Sequence, residues 1–270
     1  MSQFYLSEIN IYPVKSLGGI SLQASEVTDR GLKHDRRWLI INNEEKFITQ
    51  RTHPQLALIK TKINGNKLIL GHKTKDISPL VIPIHHESVE TVLVSIWHDI
   101  VEARIVGKYA DEWLSEALGI KCRLAYMQDE TQRPVDRAFA ADNEIVSFAD
   151  AYPFMMMGQS SLDDLNSRLK EKLPMNRFRP NFVFSGGDPF DEDKWKKIKI
   201  GEIIFNLVKP CSRCVLTTVD QNTAEKSEEP LRTLSTYRSV NNKIYFGQNL
   251  LHEGNGTLKV GDEIKILELK

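Results

Sequence analysis

The 270 residues are 41% hydrophobic and 27% charged, with Lys+Arg and Asp+Glu equal at 36 each, so a buried core is available and an extended disordered chain is excluded. A pI near 7.1 argues against a general nucleic-acid binder, which carries a net basic face, and leaves room for a local basic pocket. Three cysteines are too few for a disulfide scaffold and leave an odd thiol, no run is long and apolar enough to span a membrane, and no secretory or transit pattern opens the chain; the expectation is a cytoplasmic protein.

In chain order, runs rich in Val, Ile and aromatics, bounded by Gly, Asn, Asp or Pro, predict strands at Phe4–Ile9, Arg37–Ile41, Leu56–Ile63, Lys67–Leu70, Thr91–Ile96, Val101–Ile105 and Cys122–Tyr126. Further strands are predicted at Asn181–Ser185, Ile203–Val208, Val215–Val219 and Ile264–Leu267. Asn64-Gly65-Asn66 is a hairpin signal, because Gly and Asn accept the positive φ of a tight turn. Helical spacing of Ala110, Trp113, Leu114, Ala117 and Leu118 predicts a helix over Tyr109–Ile120 that Gly119 ends. Leu162, Leu165 and Leu169 predict a second over Ser160–Leu173, capped by Ser160 or Ser161. Many strands without βαβ alternation predict a mixed, β-rich α+β fold: two β-barrel-like regions with a few attached helices. The polar stretch Gln128–Pro134 divides them into residues 1–127 and 128–270.

The densest chemistry lies in Lys209-Pro210-Cys211-Ser212-Arg213-Cys214, leading into Val215–Asp220. Zinc would need further ligands, and Cys122 is the only other cysteine. A thioredoxin-like pair should open a helix, whereas Val215–Val219 reads as strand. One thiolate as ligand to a soft metal, with Ser212 and Arg213 on an anion, and two cysteines that merely pack are the remaining readings, and both stay open at this point.

Cations recur elsewhere in turns: Lys15-Ser16-Leu17-Gly18-Gly19, which is not a Walker motif; Asp35-Arg36-Arg37-Trp38, where alternation sends the two arginines to opposite faces; and Arg177-Phe178-Arg179-Pro180-Asn181, where it puts Arg177 and Arg179 on one face. Taken singly, each is ordinary for a solvated charge. Lys194–Lys199 reads as a solvated turn and strand edge, Met155–Met157 as core filling, and His85, His86 and His98 lack metal-ligand spacing.

Together these blocks resemble the MOSC family, the molybdenum cofactor sulfurase C-terminal domain preceded by its N-terminal β-barrel. The similarity runs through Ile11–Leu17, Asp35–Trp38, Thr49-Gln50-Arg51, Asn176–Asn181, Cys211–Cys214, Thr217–Asp220, Pro230–Leu234, Phe246-Gly247-Gln248-Asn249 and Val260-Gly261-Asp262. In arrangement it is nearest the branch of the mitochondrial amidoxime reducing component and its bacterial counterparts. The resemblance implies a molybdenum–molybdopterin cofactor, with Cys214 as metal ligand and Lys15, Ser16, Arg36, Arg179, Asn181, Ser212, Arg213 and Asn249 as cofactor-binding residues. Asp150 is implied as a catalytic group near the metal. The implied activity is two-electron reduction of N-hydroxylated small molecules, amidoximes and hydroxylamines, with oxygen transfer to molybdenum. The chain shows neither an appended iron–sulfur motif nor a membrane anchor, so electrons are expected from a separate iron–sulfur, flavin or cytochrome b5-like protein. The alternative is a carrier of sulfane sulfur or of the cofactor, using Cys214 without turnover.

Overall fold

The computed structural model describes residues 3–85, 89–140 and 144–270. The first half contains β1 (Phe4–Ile11), β2 (Ile20–Leu22), β3 (Ala24–Thr28), β4 (Gly31–Leu32), β5 (Trp38–Ile41), β6 (Ile59–Asn64), β7 (Lys67–His72), β8 (Leu80–Pro83), β9 (Thr91–Ile96), β10 (Asp99–Ile105), helix α1 (Lys108–Leu118) and β11 (Arg123–Tyr126). The second contains β12 (Phe154–Gly158), α2 (Gln159–Ser167), β13 (Phe182–Ser185), β14 (Trp195–Ile200), β15 (Ile203–Arg213), α3 (Leu231–Ser235), β16 (Ser239–Val240), β17 (Lys243–Glu253), β18 (Gly256–Lys259) and β19 (Glu263–Leu269).

Ring closure organises the second half. β12, β13, β1, β19, β14, β15 and β17 pair in that order, and β17 pairs back onto β12, so no edge is left open within the ring. Inward side chains fill it: Leu6, Ile9, Phe154, Phe182, Phe184, Trp195 and Phe205 share one buried cluster. The sheet is antiparallel except at β12–β13, which run parallel and are bridged by α2. The ring also draws on the start of the chain, since β1 pairs with β13 and β19, and β3 pairs with β18.

The remaining first-half strands form a four-stranded sheet, β5-β11-β10-β9, and a three-stranded sheet, β6-β7-β8, curved as a half-barrel around a second core. α1 buries Ala110, Leu114, Ala117 and Leu118 in that core, and Gly119 ends it in the left-handed conformation. The β6–β7 hairpin turns at Gly65-Asn66 with Asn64 opposite Lys67.

Several local expectations need correction. Val215–Thr218 is a 3-10 turn, not a strand; two register shifts, on either side of Lys209-Pro210, interrupt the β15–β17 ladder without ending it, and the chain leaves the sheet after Arg213. Leu56–Leu58 is likewise 3-10, so that strand starts at Ile59. α2 starts at Gln159 and stops at Ser167, so its N-cap is Gly158, which has no side chain to cap with; Ser161 lies inside the helix and donates to buried Glu192. Trp195–Ile200 is a paired interior strand, with Trp195 inside and Lys196 exposed. β12 and β17 have no counterpart in the sequence reading: the Met155–Met157 run fills core as expected, but from a strand. His86 lies outside the described residues.

Candidate active site

A cleft of about 290 Å³ opens between the two cores. Lys15, Ser16, Arg36, Asp150, Arg179, Asn181, Ser212, Arg213, Cys214 and Asn249 all line it. Among the described residues its charged lining is strongly one-sided: Lys15, Arg36, Arg51, Arg179, Lys209 and Arg213 against Asp150. In a chain of zero net charge this is a local cationic excess, suited to an anionic ligand.

The cationic wall is built on strained backbone. Val14 bridges Trp38, and the Lys15 amide donates to the Trp38 carbonyl. Ser16, Arg36 and Arg179 then all take positive φ, at 67°, 49° and 58°. Non-glycine residues held in this region cluster at functional sites, where surrounding structure must enforce them. The Tyr12 ring holds two of the three side chains, lying 4.4 Å from the Arg36 guanidinium and 4.1 Å from that of Arg179. The Tyr12 amide donates to buried Asp35 and its hydroxyl to the Pro180 carbonyl. Gly19 leaves room for the ring: a Cβ there would stand 2.6 Å from it. Burial pushes the Tyr12 phenol up to about 12, so it stays neutral.

Arg36 donates to Asp35 and to Asn181 Oδ1 at 3.1 Å. Asn181 is consumed by structure: Oδ1 also accepts from the Met155 amide, and Nδ2 donates to the Asn10 carbonyl. It therefore holds Arg36 in place and has little left for a ligand. Arg179 donates Nη1 to the Leu17 carbonyl at 2.7 Å; Nε and Nη2 have no hydrogen-bond partner among the described residues. Burial pulls Arg179 down to about 10, which leaves it charged at neutral pH.

At the mouth, Lys15 Nζ donates to the Phe148 carbonyl and to Asp150 Oδ1, both at 2.7 Å. Burial lowers Lys15 to about 8, against the pull of Asp150. The Asp150 side chain is 70% exposed. Crowding works to raise its pKa but is outweighed by Lys15, Arg51 and the Trp97 indole, which hold the carboxyl below the usual range. Oδ1 takes both hydrogen bonds, from Lys15 and from Trp97 Nε1; Oδ2 has no partner among the described residues.

On the thiol side, Cys211 lies within β15, half-buried, and burial raises its pKa. Cys214 follows the strand end and is exposed. Arg213 is largely committed: Nε to the Phe246 carbonyl, Nη1 to the Phe178 carbonyl, and Nη2 near the sulfurs of Met155 and Met157. It fixes the strand end rather than presenting a free fork. Gly247 permits this, since a Cβ there would meet the Met156 carbonyl at 2.7 Å and Arg213 Nη2 at 3.2 Å. Asn249 donates to the Lys209 carbonyl. Arg177 does not share a face with Arg179: it sits on a 3-10 turn and reaches the Thr217 carbonyl and Asp220. No group of three or more His, Cys, Asp or Glu side chains placed to hold a metal ion occurs among the described residues.

Five contributors were given no role from the sequence, although Gln50 and Arg51 stand in one of the family blocks. Arg51 lines the cleft and stacks 4.2 Å over Trp97. Trp97 occupies the two-residue turn between β9 and β10, with Ile96 paired to Asp99, at φ 57°. A tryptophan where Asn-Gly is expected was the available signal. Buried Arg133 donates to the carbonyls of Ser147, Ala149 and Asp150 and pairs with Asp99, tying the Asp150 loop to that hairpin. Gln50 and Gln221 exchange amide hydrogen bonds across the two halves, and Gln50 also donates to the Ser16 carbonyl.

The MOSC N-terminal beta barrel domain matches residues 3–121 and the MOSC domain residues 143–265. A curated relative, mitochondrial amidoxime-reducing component 1 of Homo sapiens, is 36% identical over 97% of this chain and 82% of its own length. The chain belongs to the MOSC family. The Mus musculus protein of the same name is 35% identical over the same shares. The molybdenum cofactor sulfurase of Oryza sativa is 33% identical over 94% of this chain but only 33% of its own length. MOSC membership links the chain to molybdenum-cofactor proteins and, through the amidoxime-reducing relatives, to N-reduction at the level of the family. Among the described residues no helix is long and apolar enough to cross a membrane.

Proposed function

We propose that this MOSC protein reduces N-hydroxylated small molecules, amidoximes or hydroxylamines, with a molybdenum–molybdopterin cofactor held in the cleft. The observation that carries the reading is the convergence of a buried cationic wall and an exposed thiol on one cavity otherwise poor in acid. The donor set fits the group. A phosphate-bearing anion wants several cations and free donors, and Arg179 has two nitrogens without a partner among the described residues. A soft metal wants a thiolate, and Cys214 is the exposed one.

In this reading Cys214 ligates the metal. Lys15, Ser16, Arg36, Arg179 and Ser212 bind the anionic cofactor, with Asn181 and Arg213 orienting the arginine and strand end that do so; Asn249 lines the same wall. When bound, the cofactor supplies the two-electron chemistry that breaks the N–O bond. The chain's own contribution is orientation and proton handling. Asp150 Oδ2 accepts a hydrogen bond from the substrate's N–H or O–H, and Lys15 and Trp97 keep the carboxylate charged and fixed. A separate iron–sulfur, flavin or cytochrome b5-like protein delivers the electrons. The division at residues 127 and 128, supported by the two family matches, and a cytoplasmic location belong to the same proposal.

The plant sulfurase match supports a second reading, a carrier that holds sulfane sulfur or cofactor on Cys214 without turnover. Molybdenum and oxidised-pterin fluorescence per purified chain, with amidoxime reduction by an artificial electron donor, separates the two. Stoichiometric cofactor with turnover supports the reductase; cofactor or persulfide without turnover supports the carrier; neither overturns both.

A further inference from the structure

We infer that Trp97 is a specificity-determining platform that selects planar, π-bearing N-hydroxylated substrates, aryl or heteroaryl, over aliphatic ones. This rests on the reductase reading for the reaction but not for the binding it predicts. Trp97 projects from a tight hairpin turn at positive φ and is 45% exposed, an unusual place for the most apolar-rich side chain available. Its orientation is fixed on several sides. The indole Nε1 donates to Asp150 Oδ1 at 3.2 Å, Arg51 covers it at 4.2 Å, and Phe47 meets it at 5.4 Å and 57°. Lys15 and Arg51 in turn lie over the Phe47 ring.

A ring held this firmly, yet left nearly half open, is pre-organised to stack a flat partner. It also sits beside Asp150, the acidic group of the cleft among the described residues. The indole and Asp150 Oδ2 together offer a π surface next to a hydrogen-bond acceptor. An arylamidoxime, or the arylamidinium it yields, matches both: the aromatic ring lies on the indole while its N–H groups reach the carboxylate. An alkyl analogue keeps the second contact and loses the first. Arg133, pairing with Asp99 of the same hairpin while holding the Asp150 loop, keeps platform and acceptor in register.

The test uses the purified full-length protein and two cationic probes, benzamidine and acetamidine, by titration calorimetry. Michaelis constants for benzamidoxime and acetamidoxime are measured alongside, with a reduced viologen as donor. Wild type is expected to prefer the aryl member of each pair. Trp97→Leu should weaken the aryl member about tenfold and the alkyl member much less, while Trp97→Phe, which keeps a ring but loses the indole N–H, should retain most of the preference. A role confined to fixing Asp150 would weaken both members equally in both variants, and that outcome overturns the platform. So does a wild type that fails to bind benzamidine, or a Trp97→Leu protein impaired only toward a protein electron donor. Loss of N-reduction with the calorimetric preference intact would sink the reductase reading and leave the platform standing.

Discussion

The two walls of the cleft are made in opposite ways. The cationic wall is set inward: Lys15 and Arg179 are buried and Arg36 half-buried, two of the three sit at positive φ, and Tyr12, Asp35 and Asn181 hold the two arginines. The thiol wall is a strand that loses its register at Pro210 and ends at Arg213, leaving Cys214 exposed. Rigidity on one side suits an invariant anion, because charge-assisted contacts reward fixed donors. Accessibility on the other suits a group that must meet a metal and admit substrate. Pre-organisation and exposure are therefore assigned to different halves of one site.

The comparison can be broken most sharply at the thiols. Cys214→Ser is expected to abolish N-reduction, and Cys211→Ser to keep most of it, because Cys211 is half-buried in β15 with its pKa raised by burial. Steady-state amidoxime reduction at measured molybdenum content decides this; an active Cys214→Ser protein would mean the wrong thiol has been chosen.

On the cationic wall, Arg179→Ala should lower molybdenum retention by the equivalent of about 1.5–3 kcal/mol, the worth of a charged hydrogen bond. Arg238→Ala should retain cofactor, since Arg238 bonds Asp193 and the Tyr245 carbonyl and stacks on Phe190. Equal metal loss in the two proteins would argue that the wall has no special hold on an anion.

The seam between the halves offers a smaller effect. Gln50→Ala leaves the Gln221 amide short of a buried partner and should cost about 1–3 kcal/mol, read as a lower urea midpoint. An unchanged midpoint would show the pair to be incidental.

Smallest is a pH effect at the mouth. Lys15, lowered to about 8, holds its ion pair with Asp150 below that pH and loses it above. An alkaline limb near pH 8 is expected in kcat/KM, and Lys15→Arg should remove it, because a guanidinium stays charged. Stability runs the other way for this group: from pH 8 toward 10.5 the unfolded chain binds more proton at Lys15, so its contribution to stability rises with pH. A limb that persists in Lys15→Arg would assign it to another group.

The β-rich class, the hairpin at Gly65 and helix α1 were legible because each is written in local pattern. Ring closure was not, since the pairing of β1 with β19 joins residues far apart in sequence. The cleft residues were legible through family blocks; Arg36 and Arg37 do part, with Arg37 turning to Tyr126 and Asp129, but from a turn that holds Arg36 at positive φ and not by strand alternation. Alternation failed at Arg177 and Arg179, where a 3-10 turn and a positive φ replace extended backbone. The strand expected at Val215–Val219 does not form either: Cys211, not Cys214, lies in a strand, so the case for Cys214 rests on exposure and family position. Trp97 and Arg133 act through long-range contacts that no local pattern encodes.

The central claim is that Cys214 is the protein's ligand to a molybdenum held in this cleft. X-ray absorption at the molybdenum edge on wild type, Cys211→Ser and Cys214→Ser, each at known metal content, tests it directly. The account predicts one sulfur neighbour fewer in Cys214→Ser alone. An unchanged sulfur shell in Cys214→Ser, or the loss appearing in Cys211→Ser instead, would contradict it.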